Sequence, residues 1–292
     1  MEREKQIYLH ADDFGMNVES TERILKCFTE GNLDSVSIMP NGCCQEAARL
    51  VTGLPLSIRV HINLVEGKCV SDKTQVSLLV DKEGYFRYSF VGLFFLLLSG
   101  KRKEARKQIT LEIKKQIQYV YSVADQSCIG IDSHQHIHMI PGVFAALCDA
   151  VEELGVEVKE LRIPAEPILP FLKHPSLYPT YRISNIVKNG VLNLLYLFNK
   201  KKIRKMGVRQ SLFMGIWFSG CMDAGRILKV LPDFCKIAEK KHIFLELLFH
   251  PGNILPGEKI LDETKPLFTE FYRNEGRKIE AGVLQSLSLI HI

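Results

Sequence analysis

The run Asp132-Ser133-His134-Gln135-His136-Ile137-His138, closed by Pro141, packs three of the chain's nine histidines into five residues. Side chains alternate on an extended backbone, so Asp132, His134, His136 and His138 are expected on one face. A carboxylate and neutral imidazoles converging there suit a divalent metal such as zinc. The competing reading is a polar strand end with solvated histidines. Alternating histidines are uncommon without a ligand role, which favours the metal.

Other segments carry residues able to do chemistry. Ala11-Asp12-Asp13-Phe14-Gly15 sets two carboxylates side by side. Neighbours on an extended chain point apart unless the backbone turns, so one would ligate a metal while the other takes a proton from bound water. The alternative is an Asp-rich turn that caps the next helix. His61 shares a strand face with Arg59 and Asn63 and gains ligand value only beside an Asp and a His from other strands. Such an Asp/His/His set suits zinc and similar ions, and water-rich versions hold magnesium. His250 is delivered by a buried run into the turn Pro251-Gly252, where it can act as general acid or cap the strand. Arg162, in Leu161-Arg162-Ile163-Pro164, can orient a carboxylate such as Asp12 or cover a surface.

These residues need elements to hold them. Strand-like runs at 7–11, 35–39, 57–64, 128–133, 156–163, 210–214 and 243–249 alternate with helical patterns at 20–30, 45–52, 102–124, 142–154 and 223–240. Ile109, Ile113, Ile117 and Val120 keep helical spacing on the longest of these. Residues 67–100 read as irregular, with a turn at Lys82-Glu83-Gly84, and 164–206 as an insertion that shapes the substrate cleft. Strand–helix alternation predicts a mainly parallel sheet, because parallel neighbours need crossovers. Polar residues follow nearly every strand: Asp12-Asp13, Asn41, His61, the histidine cluster, Arg162 and His250. That pattern favours an α/β fold of the distorted (β/α) barrel kind, with its active site at the strand C-terminal ends, over an open doubly wound sheet. Residues 1–286 are read as one domain. Residues 287–292 match one frame of a transposase sequencing adapter and are read as a non-native tail, so His291 is not read as functional.

Composition excludes less than the motifs suggest. The 292 residues are 46% hydrophobic and 24% charged, ordinary for a globular protein, and the net charge of +5 is too modest to argue for nucleic acid. The apolar runs 90–98 and 191–198 fall short of the roughly 20 residues that span a bilayer. No apolar signal segment follows Met1, so the expectation is a cytoplasmic protein. No CxxC pair occurs; Cys27, Cys128, Cys148 and Cys235 read as small buried hydrophobes in a reducing compartment, and Cys43-Cys44 as incidental.

Taken together the motifs resemble the YdjC-type carbohydrate deacetylases, a chitooligosaccharide deacetylase-like family. The matching residues are Ala11 to Gly15, His61-Ile62-Asn63-Leu64 with Glu66-Gly67, Asp132 to His138 with Pro141, Leu161 to Pro164, and Glu246 with His250-Pro251-Gly252. They occur in the family's order from residue 6 to about 255. The resemblance implies a distorted (β/α) barrel and metal-dependent hydrolysis of an N-acetyl group on a sugar, releasing acetate. It puts one divalent ion, Mg²⁺ or Zn²⁺, on Asp13, His61 and His134, and selects His134 where the face argument leaves three histidines open. It also implies Asp12 as general base and, by analogy with NodB-type deacetylases, a protonated His250 as acid. The chain departs from the family at His10, where Asn is usual, and at Ser211, where an Asp-x-Phe-x-Gly pattern usually begins.

Rival readings are a barrel metallohydrolase acting on phosphoesters or cyclic amides, and a non-enzymatic binder of sugars or lipid headgroups. Phe14, Phe213 and Trp217 can stack on sugar rings or fill the core. The apolar runs near residues 90 and 192, each followed by Lys and Arg, give peripheral membrane contact as one expectation and helices with buried faces as the preferred one. A homodimer is the remaining expectation.

Overall fold

The computed structural model describes residues 6–124 and 128–286. The tail at 287–292 lies outside the described residues, as does the side chain of Cys128.

The chain alternates as the sequence patterning requires: β1 (Ile7–Phe14), α1 (Val18–Thr29), β2 (Ser35–Ile38), α2 (Cys44–Val51), β3 (Ser57–Ile62), α3 (Phe90–Leu96), α4 (Arg102–Ala124), β4 (Cys128–Ser133), α5 (Pro141–Leu154) and β5 (Glu157–Leu161). The second half follows with α6 (Leu169–Leu172), α7 (Ile183–Met206), β6 (Leu212–Met214), α8 (Ala224–Lys241), β7 (Leu245–Phe249), α9 (Pro266–Tyr272) and α10 (Gly276–Gln285). Seven parallel strands run in the order β5-β4-β3-β2-β1-β7-β6. The sheet curls until its two edges approach, and a parallel bridge between Glu160 and Arg209 joins them. This is the α/β barrel, distorted and with the strand ends open to chemistry.

Period two divides each strand. Leu9, Ala11, Val36, Ile38, Ile58, Val60 and Ile62 pack in the core, while His10, Asp12, Ser35, Ser37, Arg59 and His61 share the other face. The barrel interior is therefore ionic, where many parallel barrels stack branched aliphatics. Arg59 and Arg162 lie buried among Asp12, Asp132 and Glu246. Gly130 makes room for this, since a Cβ there would sit 2.7 Å from Cγ of Arg59. On the outside, Ile109, Ile113, Ile117 and Val120 of α4 are fully buried, each contributing roughly 1.5–3 kcal/mol of apolar burial. Gln116 of the same helix accepts from the Asn63 amide at 2.9 Å and donates to its carbonyl at 2.6 Å. Those two bonds pin the end of β3 that carries His61.

Several expectations change. β1 continues past Ala11 to Phe14, with an irregularity in its pairing to β2 between those residues. Extended geometry does not carry through the histidine cluster: β4 stops at Ser133, and 134–139 is a tight turn with φ of 53° at Gln135 and 58° at His136. Asp132, His134, His136 and His138 thus do not form one strand face. The irregular stretch holds the short helix α3, capped by Ser89 accepting from the Gly92 amide. Residues past 253 form α9 and α10, which no sequence pattern had assigned, and α10 packs on α1. Cys27 is buried, whereas Cys148 and Cys235 are only half-buried.

Candidate active site

The site forms where β1, β3 and β4 end. Asp13 has φ of 65°, in the left-handed region, which costs a non-glycine residue of order 1 kcal/mol. That turn lets the adjacent carboxylates of Asp12 and Asp13 face the same cleft. The next loop supports it: a Cβ on Gly42 would fall 2.0 Å from the Gly15 carbonyl oxygen, and the Cys43 amide donates to that oxygen at 2.7 Å.

Asp13, His61 and His134 meet with one ligand atom each inside a 4.8 Å cluster. His61 Nδ1 lies 2.7 Å from Asp132 Oδ1. A carboxylate can only accept, so Nδ1 carries the proton and Nε2 turns its lone pair to the cleft, 3.7 Å from Asp13 Oδ1. His134 Nδ1 lies 3.2 Å from the same oxygen, while its Nε2 faces Glu66 and the Tyr272 hydroxyl, both at 3.3 Å. Arg277 donates to the other carboxylate oxygen, Oδ2, at 2.5 Å. Asp13 Oδ1 is left buried with no hydrogen-bond partner among the described residues.

This geometry fits a divalent ion. The free oxygen of Asp13 faces two imidazoles whose other nitrogens are already tied to carboxylates, the arrangement that orients ligand histidines. Burial alone would lower the His134 pKa, yet Asp13 and Glu66 raise it to about 9, so the carboxylates around the ring favour positive charge at that point. A second cluster, His10 with Asp12 and Asp132, already holds a cation in the Arg162 guanidinium.

Arg162 Nη1 donates to both Asp12 oxygens at 2.8 and 2.9 Å, Nη2 lies 3.0 Å from Asp132, and Nε donates to Glu246 at 2.6 Å. Although burial pushes upward, Arg162 and His61 hold the Asp12 carboxyl well below its ordinary value. Asp12 is thereby held as the carboxylate, the form that can accept a proton. His250 Nε2 stands 3.9 Å from Asp12 Oδ2. Burial, with Arg277 and Lys188 nearby, lowers its pKa to about 3. That shift favours the neutral ring over the imidazolium.

His138 serves structure, with its ring spanning Ser133 Oγ at 2.5 Å and the Arg162 carbonyl at 2.9 Å. His136 is buried with Nδ1 unpartnered, edge-on to Phe213. His10 sits between Ser35 and Ser37 hydroxyls at 2.6 and 2.7 Å. Ser211 donates to Glu246 at 3.0 Å. Phe14, Phe213 and Trp217 are core residues, and Trp217 stacks on Phe171 at 4.5 Å.

Several site residues escaped the sequence reading. Phe268 and Phe271 of α9, both half-buried, stand 5.5 Å from His134 and 5.3 Å from His250. Lys188, on the inner side of α7, loses basicity through burial against the opposing pull of Asp12, Glu166 and Asp13. Glu280 accepts from the His250 and Met222 amides. The only sequence signal for the α10 residues is their spacing of one helical turn.

A groove of about 1030 Å³ along Arg209, Tyr196 and Phe244 reaches Ser211 but none of Asp12, Asp13, His61, His134 or His250.

A family model described as YdjC-like protein matches residues 6–290. A carbohydrate deacetylase of Danio rerio is 27% identical over 68% of this chain and 62% of its own length. One from Mus musculus is 32% identical over 55% of this chain and 51% of its own. The chain thus spans about half to three-fifths of the length of these curated relatives. Among solved structures, a proposed cellobiose-phosphate cleavage protein from Enterococcus faecalis V583 superposes with a TM-score of 0.69 at 18% identity, over 98% of this chain and 92% of that one. That likeness speaks for the fold alone.

Proposed function

The chain belongs to the YdjC-like family, and from that premise we propose that it is a metal-dependent hydrolase removing N-acetyl groups from a carbohydrate. The observation that carries the reading is the unpartnered Oδ1 of Asp13, buried and facing the cleft nitrogens of His61 and His134. Two imidazoles and one carboxylate favour Zn²⁺ or Co²⁺ over Mg²⁺, which prefers oxygen ligands.

When bound by Asp13, His61 and His134, such an ion supplies a water of lowered pKa and polarises the amide carbonyl. Asp12 takes a proton from the attacking water, and Arg162 keeps it ionised and aimed at the cleft. The proton then has 3.9 Å to travel to Nε2 of His250, whose neutral ring can receive it and pass it to the sugar nitrogen as the C–N bond breaks. Water has then added to the acetyl carbon, and acetate and the free amine leave. Phe268 and Phe271 give the cleft an aromatic wall suited to the apolar face of a sugar ring.

The test is a substrate panel with Zn²⁺, Co²⁺ or Mg²⁺ present. Acetate is expected from N-acetylated chitooligosaccharides, and no turnover from phosphoesters. Phosphoester turnover without acetate, under every metal, would overturn the proposal.

A further inference from the structure

We propose that the outer face of α7, with α6 and α3 beside it, docks the catalytic end of the barrel on an anionic lipid bilayer. Helix α7 lies across the strand ends. Its inner side bonds in turn to the Trp217 and Ser219 carbonyls after β6 through Asn185, to the Glu166 carbonyl after β5 through Asn193, and to the Met139 carbonyl after β4 through Asn199. Those bonds fix which side faces out.

The outward side is apolar. Ile183, Val187, Val191, Leu194 and Phe198 recur at three- and four-residue intervals, and Ile183 and Phe198 are 79% and 64% exposed. At 1.5 Å per residue this stripe is about 23 Å long. The same side then turns basic, with Lys201, Lys202, Arg204 and Lys205 exposed. The whole helix carries six Lys and Arg and no Asp or Glu.

Neighbouring elements extend the patch. Ile168 and Leu169 follow closely on Glu166, whose carbonyl α7 holds, and Leu169 is 61% exposed. Leu97, at the end of α3, closes on Gly142 at the start of α5, beside the Met139 turn. Val91, Phe95 and Leu98 of that segment face solvent, with the exposed cluster Lys101-Arg102-Lys103 behind them. The expectation of ordinary helices with buried faces is thus half of the finding: each has a buried face, and its other face is apolar as well.

An exposed apolar patch of this kind needs an occupant. The cations of α7, on a helix without acids, select an anionic one, and the aliphatic side chains beside them match the headgroup–acyl boundary. A second copy of the chain would present the same acid-free helix and no carboxylate on it to answer these cations. No helix among the described residues is long and apolar enough to cross a membrane, so the contact is peripheral. Docking brings the cleft, onto which Lys188 of the same helix faces, over the headgroups. Resting on the deacetylase reading, this pose makes an N-acetylated sugar on a lipid anchor the substrate.

Sedimentation with phosphatidylcholine vesicles, with and without one-third phosphatidylglycerol, tests the docking. At low salt the chain is expected to bind the anionic vesicles at least tenfold more than the neutral ones. Leu194→Glu with Phe198→Glu should lower that binding at least tenfold, and Lys201→Glu with Lys205→Glu should abolish the anionic preference. Both pairs should keep turnover of a soluble N-acetylated oligosaccharide, and lose acetate release from an N-acetylglucosaminyl lipid embedded in vesicles. A wild-type chain that stays in the supernatant overturns the docking. So does vesicle binding indifferent to the Leu194/Phe198 pair, or a solution dimer that this pair dissociates while the wild type ignores vesicles. Vesicle binding without acetate from any substrate leaves the docking standing and removes the deacetylase reading.

Discussion

Asp12→Asn is expected to lower kcat for acetate release by about 10²–10⁴-fold, the usual worth of a positioned proton acceptor. Asparagine keeps the shape and one acceptor oxygen for Arg162, and Asp132 and Glu246 still balance that guanidinium. The fold should survive, which circular dichroism can verify. Metal affinity should stay within a few-fold, because Asp13, His61 and His134 are untouched. The combination of lost turnover and retained metal separates proton transfer from metal binding. A variant within fivefold of wild-type kcat would assign the base elsewhere.

The second large effect is on stability. Arg162→Met is expected to destabilise the fold by about 3–5 kcal/mol, because removing one partner of a buried ionic set strands the other. Here three carboxylates are stranded together: Asp12, Asp132 and Glu246, all nine-tenths buried or more. Arg59 remains 2.8 Å from Glu246 and 3.8 Å from Asp132, too far from the latter to replace the lost bond. Urea melts at neutral pH measure the loss. Adding Glu246→Gln to Arg162→Met should recover part of it, since one stranded charge is gone. A single-variant loss under about 1 kcal/mol would mean that the ionic interior is not held together by Arg162.

The largest part of the fold was legible in the alternation of residues. Ser35-Val36-Ser37-Ile38 and Ile58-Arg59-Val60-His61-Ile62 state which face of each strand is apolar, and the spacing of Ile109, Ile113, Ile117 and Val120 states the same for α4. Strand ends bearing polar residues pointed to the open end of a barrel. Two features were illegible for a definite reason. Period-two reasoning assumes extended backbone, and it fails where the chain takes positive φ, at Asp13 and at Gln135-His136. The first failure helps the site by turning adjacent carboxylates to one cleft. The second removes His136 and His138 from the face that His134 reaches.

Contacts remote in sequence were the other gap. Arg277 bonds Asp13 across 264 residues, and Tyr272 bonds Glu66 across 206. Both come from α9 and α10, short helices whose patterns resemble any surface helix. Nothing local marks Arg277 as fully buried, and only the packed fold supplies that fact.

On the proposed reading, one divalent ion held by Asp13, His61 and His134 enables this chain to release acetate. Titrating metal-stripped protein with Zn²⁺ while following acetate release from an N-acetylated chitooligosaccharide tests it most directly. No acetate is expected before addition, then a rise that saturates at one equivalent per chain, and no rise in Asp13→Ala. Full acetate release from the stripped protein, or an unaltered titration in Asp13→Ala, would contradict it.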